Sequence, residues 1–113
     1  MIAVVETEEF LADVKSVLSE DEHDALIEYV AQNPAAGDLI PQTGGLRKLR
    51  WEARGKGRRG GSRVIYYFHN LEVPVFLMAI YAKGVQEDLL PVQRKALSKQ
   101  LRGLKADWRD KEK

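Results

Sequence analysis

Arg63-Val64-Ile65-Tyr66-Tyr67-Phe68 and Val75-Phe76-Leu77-Met78-Ala79-Ile80-Tyr81 are the two runs whose reading decides the fold. Both are rich in β-branched and aromatic residues, and only a short turn around Asn70-Leu71-Glu72 separates them, so they predict adjacent antiparallel strands. Upstream, Leu46 to Ala53 alternates, with Leu49, Trp51 and Ala53 on one side and Lys48, Arg50 and Glu52 on the other, the pattern of a half-exposed strand. Pro41 to Gly45 is a turn-rich lead into it. Arg54 to Gly61, RGKGRRGG, reads as a flexible connection out of it.

Residues 2 to 5 are small or β-branched and predict a short buried strand. Thr7 then offers a helix N-cap with Glu8 and Glu9 at the positive end of the helix dipole, and Phe10, Leu11, Val14, Val17 and Leu18 share one helical face. Ser19-Glu20-Asp21-Glu22 fits a capping box that opens a second helix, striped by Ala25, Leu26, Tyr29 and Val30 and ended by Asn33-Pro34. After Lys83-Gly84 the pattern turns helical again, with Pro91 near the start and Leu97, Leu101, Leu104 and Trp108 on one stripe, weakened at Gly103. The order β, α, α, β, β, β, α predicts a single α+β domain over residues 1 to 113. Two N-terminal helices pack on one face of a small, mainly antiparallel sheet, a C-terminal helix follows, and the other sheet face is left for work. Trp51, Tyr66 and Phe68 are expected in the core.

The chain has 113 residues, 44% apolar and 31% charged, the balance of a folded domain. With no cysteine there is no disulfide framework or thiolate zinc site. No His or carboxylate cluster has metal-ligand spacing, and RGKGRRGG lacks the Gly-Lys-Ser/Thr ending of a nucleotide loop, so neither metal nor cofactor is expected. The apolar run Val73 to Ala82 is half the ~20 residues of a membrane span. Met1 to Glu6 does not resemble a secretion signal, and a cytoplasmic location is expected.

The net charge of +1 conceals a segregation. Residues 1 to 40 carry ten acids against one base, Lys15, whereas residues 41 to 113 carry 17 bases and 7 acids. Arg47, Lys48, Arg50, Arg54, Lys56, Arg58, Arg59 and Arg63 fall within residues 47 to 63, a density that points to a phosphate-bearing partner. Alternation puts Arg63 on the face of Ile65, Tyr67 and His69, and the next strand ends in Tyr81-Ala82-Lys83. Cations interleaved with aromatic rings hold single-stranded RNA, phosphates on the cations and unstacked bases on the rings, and Tyr67 and Tyr81 are the candidate rings. His23 lies in the acidic helical region and is expected on the surface. His69, at a strand end, is a candidate proton shuttle.

Gly44-Gly45-Leu46-Arg47-Lys48-Leu49-Arg50, then Gly55-Lys56-Gly57-Arg58-Arg59-Gly60-Gly61-Ser62-Arg63-Val64-Ile65-Tyr66-Tyr67-Phe68, then Ile80-Tyr81-Ala82-Lys83 resemble the HigB-like branch of the RelE toxin superfamily. The resemblance covers nearly the whole chain and implies the toxin of a bacterial toxin–antitoxin pair: an endoribonuclease that enters the ribosomal A site and cuts the messenger RNA being translated. It implies catalytic roles for Lys48, Arg50, Arg63 and Lys83 and RNA contacts by the other bases of the strand and loop. Where the best-studied family pattern has a further arginine and then a base-stacking tyrosine, this chain has Gly84 and no tyrosine in Val85 to Leu89, leaving stacking to Tyr81 or Tyr67.

Metal-free cleavage of RNA by its own 2′-hydroxyl needs a proton acceptor, stabilisation of the phosphorane and a proton donor for the leaving 5′ oxygen. Arginine suits the middle role and a lysine crowded by like charges the proton transfers, so Arg50 and Arg63 are expected to hold the phosphorane, and Lys48 or Lys83 to move protons. The expected partners are messenger RNA, the ribosome and a cognate antitoxin. The rival readings are a ParE-like gyrase-inhibiting toxin and a non-catalytic RNA- or ribosome-binding module.

Overall fold

A computed structural model describes residues 2–53, 61–86 and 88–112, with side chains as far as Asp107. The two deciding runs form β4 (Ser62–Tyr67) and β5 (Val75–Ala82), antiparallel neighbours at the centre of the sheet. The turn between them is closed by Asn70, whose Oδ1 accepts from the backbone N–H of Glu72 and of Val73 at 2.8 and 3.1 Å. β3 (Leu46–Trp51) pairs antiparallel with β4. β1 (Val4–Glu6) joins the far side of β5 in parallel, and a two-residue β2 (Asp38–Leu39) joins β3, giving the order β1-β5-β4-β3-β2. The predicted buried N-terminal strand is thus a short edge strand, with Val5 41% exposed.

Local chemistry sets both N-terminal helices. Thr7 caps α1 (Glu8–Val17) by accepting from the Phe10 N–H, and Ser19 and Glu22 close the reciprocal box that starts α2 (Glu20–Gln32). Phe10, Val14, Leu18, Leu26 and Val30 pack with Leu49, Trp51, Val64, Tyr66 and Leu77 in the larger core on that face. Phe68 is partly buried against it, so all three aromatic residues expected in the core belong there.

The opposite face is not left open. α3 (Pro91–Glu112) lies over part of it, placing Leu97 and Leu101 in a second core with Leu46, Ile65, Tyr67 and Met78. This corrects the expectation of a bare working face, because the apolar stripe of α3 needs a surface to cover. Leu104 is partly buried there, and the Trp108 side chain lies outside the described residues. Pro91 sits at the first helical position, and Gln93 Oε1 accepts from the Leu90 N–H at 2.9 Å, half of a capping box. Further along, Lys105 Nζ donates to the Gly44 carbonyl at 2.6 Å and lies 5.0 Å from the Tyr67 ring centroid. Gly44 and Gly45 need to be glycine: their φ values are +81° and +117°, and a Cβ on Gly45 would meet Tyr67 at 3.0 Å.

Tyr66 ties the sheet to the segment after α2. Fully buried, its hydroxyl accepts from the Gly37 N–H at 2.7 Å and donates to the Pro34 carbonyl at 2.8 Å. Burial pushes this hydroxyl above the ordinary value of 10.0. The native state therefore holds a proton that the unfolded chain releases above about pH 10, so the Tyr66 contribution to stability is constant below that pH and is lost as the pH rises above it. Tyr66→Phe strands the buried Gly37 N–H, which is expected to lower stability by about 1–3 kcal/mol at neutral pH. The alkaline slope should also become shallower, with Tyr67 and Tyr81, both raised by burial, supplying the remainder. Urea denaturation of both proteins between pH 7 and 11 measures each effect.

Among the described residues no helix is long and apolar enough to cross a membrane.

Candidate anion-binding site

Strand alternation puts Lys48 and Arg50 on the face of Leu46, and Arg63 on the face of Ile65, so all three cations are on the α3 side. The register makes them neighbours: Arg50 is directly opposite Arg63 on β4, Arg63 is opposite Tyr81 on β5, and Lys48 is one residue pair along, opposite Ile65. Arg50 is exposed, Lys48 half-buried and Arg63 only 4% exposed, with its Nη1 donating to the Ser62 carbonyl at 3.1 Å. Tyr81 is half-buried. Burial chiefly, then the Asp88 charge, raises its hydroxyl above the ordinary tyrosine range, and the Arg63 charge opposes them. Tyr81 is therefore a neutral phenol at neutral pH.

Beside this row is a cavity of about 310 Å³ lined by Lys48, Arg50, Asp38, Asp88 and Arg94 together with residues 39–41 and Leu89. Two of these charged residues, Asp88 and Arg94, do not stand out in the sequence. Lys48 Nζ donates to Asp88 Oδ1 at 2.5 Å, forty residues along the chain. That hydrogen bond, then the charges of Lys48, Arg63 and Arg94, holds the Asp88 carboxyl below the ordinary carboxylate range. Arg94, in the first turn of α3, has an Nε that is buried without a hydrogen-bond partner. The available signal was Pro91 as a helix start, which places Arg94 at the helix end nearest the sheet cations.

Lys83 follows β5, and its N–H bonds the Gly61 carbonyl at 3.0 Å, extending the β4–β5 ladder past the pair Ser62 and Ala82. Its backbone is thus two residues from Tyr81 at the same sheet end as Arg63.

Other expected contact residues lie elsewhere. Arg47 has the opposite parity to Lys48, and its Nη1 donates to the carbonyls of Ala35 and Gly37 at 3.2 and 2.8 Å, so it braces the segment after α2. Tyr67 is on the correct face, but α3 covers it. It is 7% exposed and its hydroxyl bonds His69 Nδ1 at 2.9 Å, so its ring presents no platform for a base. His69 is six residues from Arg63 along the strand direction, about 20 Å, outside the cation group. His23 is half-buried rather than a plain surface residue, with Nε2 2.6 Å from Glu6 Oε2. Arg54, Lys56, Arg58 and Arg59 lie outside the described residues.

The fold converts charge segregation along the chain into segregation across the sheet: the acidic helices α1 and α2 cover one face, and Lys48, Arg50, Arg63 and Arg94 gather on the other. Among the described residues no group of His, Asp and Glu is placed to hold a metal ion. The chemistry at hand is that of three guanidinium groups, an ammonium, a neutral phenol and two carboxylates, Asp38 opposite the ammonium and Asp88 bonded to it. No protein-family model matches the chain.

Proposed function

We propose that this protein is a ribosome-dependent messenger RNA endoribonuclease of the HigB-like type, the cytoplasmic toxin of a toxin–antitoxin pair, acting without a metal. The observation that carries the reading is the cross-strand pair Arg50 and Arg63 with Lys48 beside it and Tyr81 beyond it. A phosphodiester laid across the pair would bring its charge to both guanidinium groups.

In this reading the 2′-hydroxyl attacks the adjacent phosphorus, the bond to the 5′ oxygen breaks, and a 2′,3′-cyclic phosphate and a free 5′-hydroxyl result. Arg50 and Arg63 stabilise the charge that builds on the phosphorane, where one well-placed donor is worth about 10²–10³ in rate. One proton leaves the 2′-hydroxyl and one reaches the 5′ oxygen. Lys48 and Lys83 are the groups we assign to move them, with the Tyr81 hydroxyl as a further donor. With Tyr67 under α3, Tyr81 is the ring left to contact a base.

The test adds purified protein to an in vitro translation reaction and maps messenger RNA ends by primer extension, with free RNA and a gyrase supercoiling assay alongside. New ends confined to translated message are expected, and Lys48→Met should reduce them by about 10²-fold. Lost supercoiling without new ends would replace the reading with a gyrase toxin, and ribosome or RNA binding without new ends with a non-catalytic module.

A further inference from the structure

Lys48 has one carboxylate, Asp38, directly opposite it on β2, yet its ammonium is bonded to another, Asp88, from the connection between β5 and α3. The backbone at Asp88 and Leu90 is held in place. Gln86 Nε2 donates to the Asp88 carbonyl at 3.0 Å and to Gln93 Oε1 at 2.8 Å, and the same Gln93 oxygen receives the Leu90 N–H. The Asp88 backbone is thereby fastened to the first turn of α3, while its side chain stays 67% exposed at the rim of the cavity. A carboxylate so placed, among Lys48, Arg63 and Arg94, occupies the position an incoming phosphate oxygen would take.

We propose that Asp88 is a displaceable internal ligand of the anion seat, holding Lys48 until an RNA phosphate takes its place. This rests on the reading of the face as an RNA site. A lone phosphate that exchanges for the carboxylate swaps one anion for another and gains little. A strand that also engages Arg50, Arg63 and Arg94 offsets the exchange several times over. Asp88 thus keeps free phosphate out of the seat and admits a polynucleotide.

The experiment measures binding of a labelled single-stranded RNA oligonucleotide, 2′-O-methylated against cleavage, to the wild type, Asp88→Asn, Lys48→Met and the double variant across a salt series. Asp88 is exposed, so Asp88→Asn leaves the fold in place. Asp88→Asn is expected to bind about fivefold more tightly. The slope of log K against log salt should be the same in the two proteins, because a phosphate contacts Lys48 in both complexes, and should become shallower by about 0.7 in Lys48→Met. The gain in affinity should vanish in the Lys48→Met background. Equal affinity in wild type and Asp88→Asn, or a gain that survives removal of Lys48, overturns the proposal. Failure of every variant to bind RNA removes the RNA reading and the proposal with it. The expected binding gain with no cutting in the translation reaction leaves the seat standing and removes the nuclease reading.

Discussion

Arg63→Met is expected to lose messenger RNA cutting by about 10²–10³-fold while its folding stability falls by about 1–3 kcal/mol and the protein is still folded. The loss of cutting and the retained fold have separate physical causes. Arg63 is 4% exposed on a central strand, so its position is set by packing and its donors need little ordering when charge develops on the substrate. Taking that charge away removes transition-state stabilisation, whereas for folding it leaves the buried Ser62 carbonyl without the Arg63 donor, a loss of about 1–3 kcal/mol. Arg63→Ala should lose cutting to the same degree and more stability, because it also leaves a void beside Tyr81. Arg63→Lys keeps the charge without the planar fork and should recover only part of the rate. Single-turnover cleavage in a stalled translation complex, paired with urea denaturation of each variant, reads both quantities. Cutting by Arg63→Met within threefold of wild type removes Arg63 from the chemistry.

The contrast between Arg63 and Arg47 shows how far the sequence carries such assignments. Strand parity was legible: alternation of Leu49, Trp51 and Ala53 against Lys48, Arg50 and Glu52 already places Arg47 on the apolar side, where it donates to the Ala35 and Gly37 carbonyls. Parity also explains why Lys48, Arg50 and Arg63 meet on one face, because adjacent strands in register keep that face in common. Helix starts at Thr7, Ser19 and Pro91 were equally legible, since each is fixed by chemistry within four residues. What could not be read is long-range. The parallel partnership of β1 with β5 and the reach of Asp88 to Lys48 across forty residues leave no local periodicity. Tyr67 falls between these cases. Its burial follows once the stripe Leu97 and Leu101 is given a surface to cover, and the sheet face away from α1 and α2 is where that surface lies.

Leu101→Ala is expected to lower stability by about 2–5 kcal/mol, a large part of the ~5–15 kcal/mol of a domain this size. Leu101 is 1% exposed in the core between α3 and the sheet, with Leu46, Ile65, Tyr67 and Met78. Truncation there removes apolar contact on both sides and leaves a void that a helix also anchored by Lys105 to the Gly44 carbonyl cannot easily collapse. Gly103→Ala makes the opposite case two residues away. A Cβ at Gly103 meets nothing within 4 Å, so the change should add about 0.5–1 kcal/mol through helix propensity alone. Urea denaturation at neutral pH distinguishes an integral helix from an appended one: a loss below about 1 kcal/mol for Leu101→Ala would mean that α3 rests on the sheet without holding it. The consequence reaches the site, because α3 carries Arg94 and fastens the segment that bears Asp88. A loosened α3 should therefore weaken RNA binding in Leu101→Ala under conditions where the protein is still folded, and Gly103→Ala should leave that affinity unchanged.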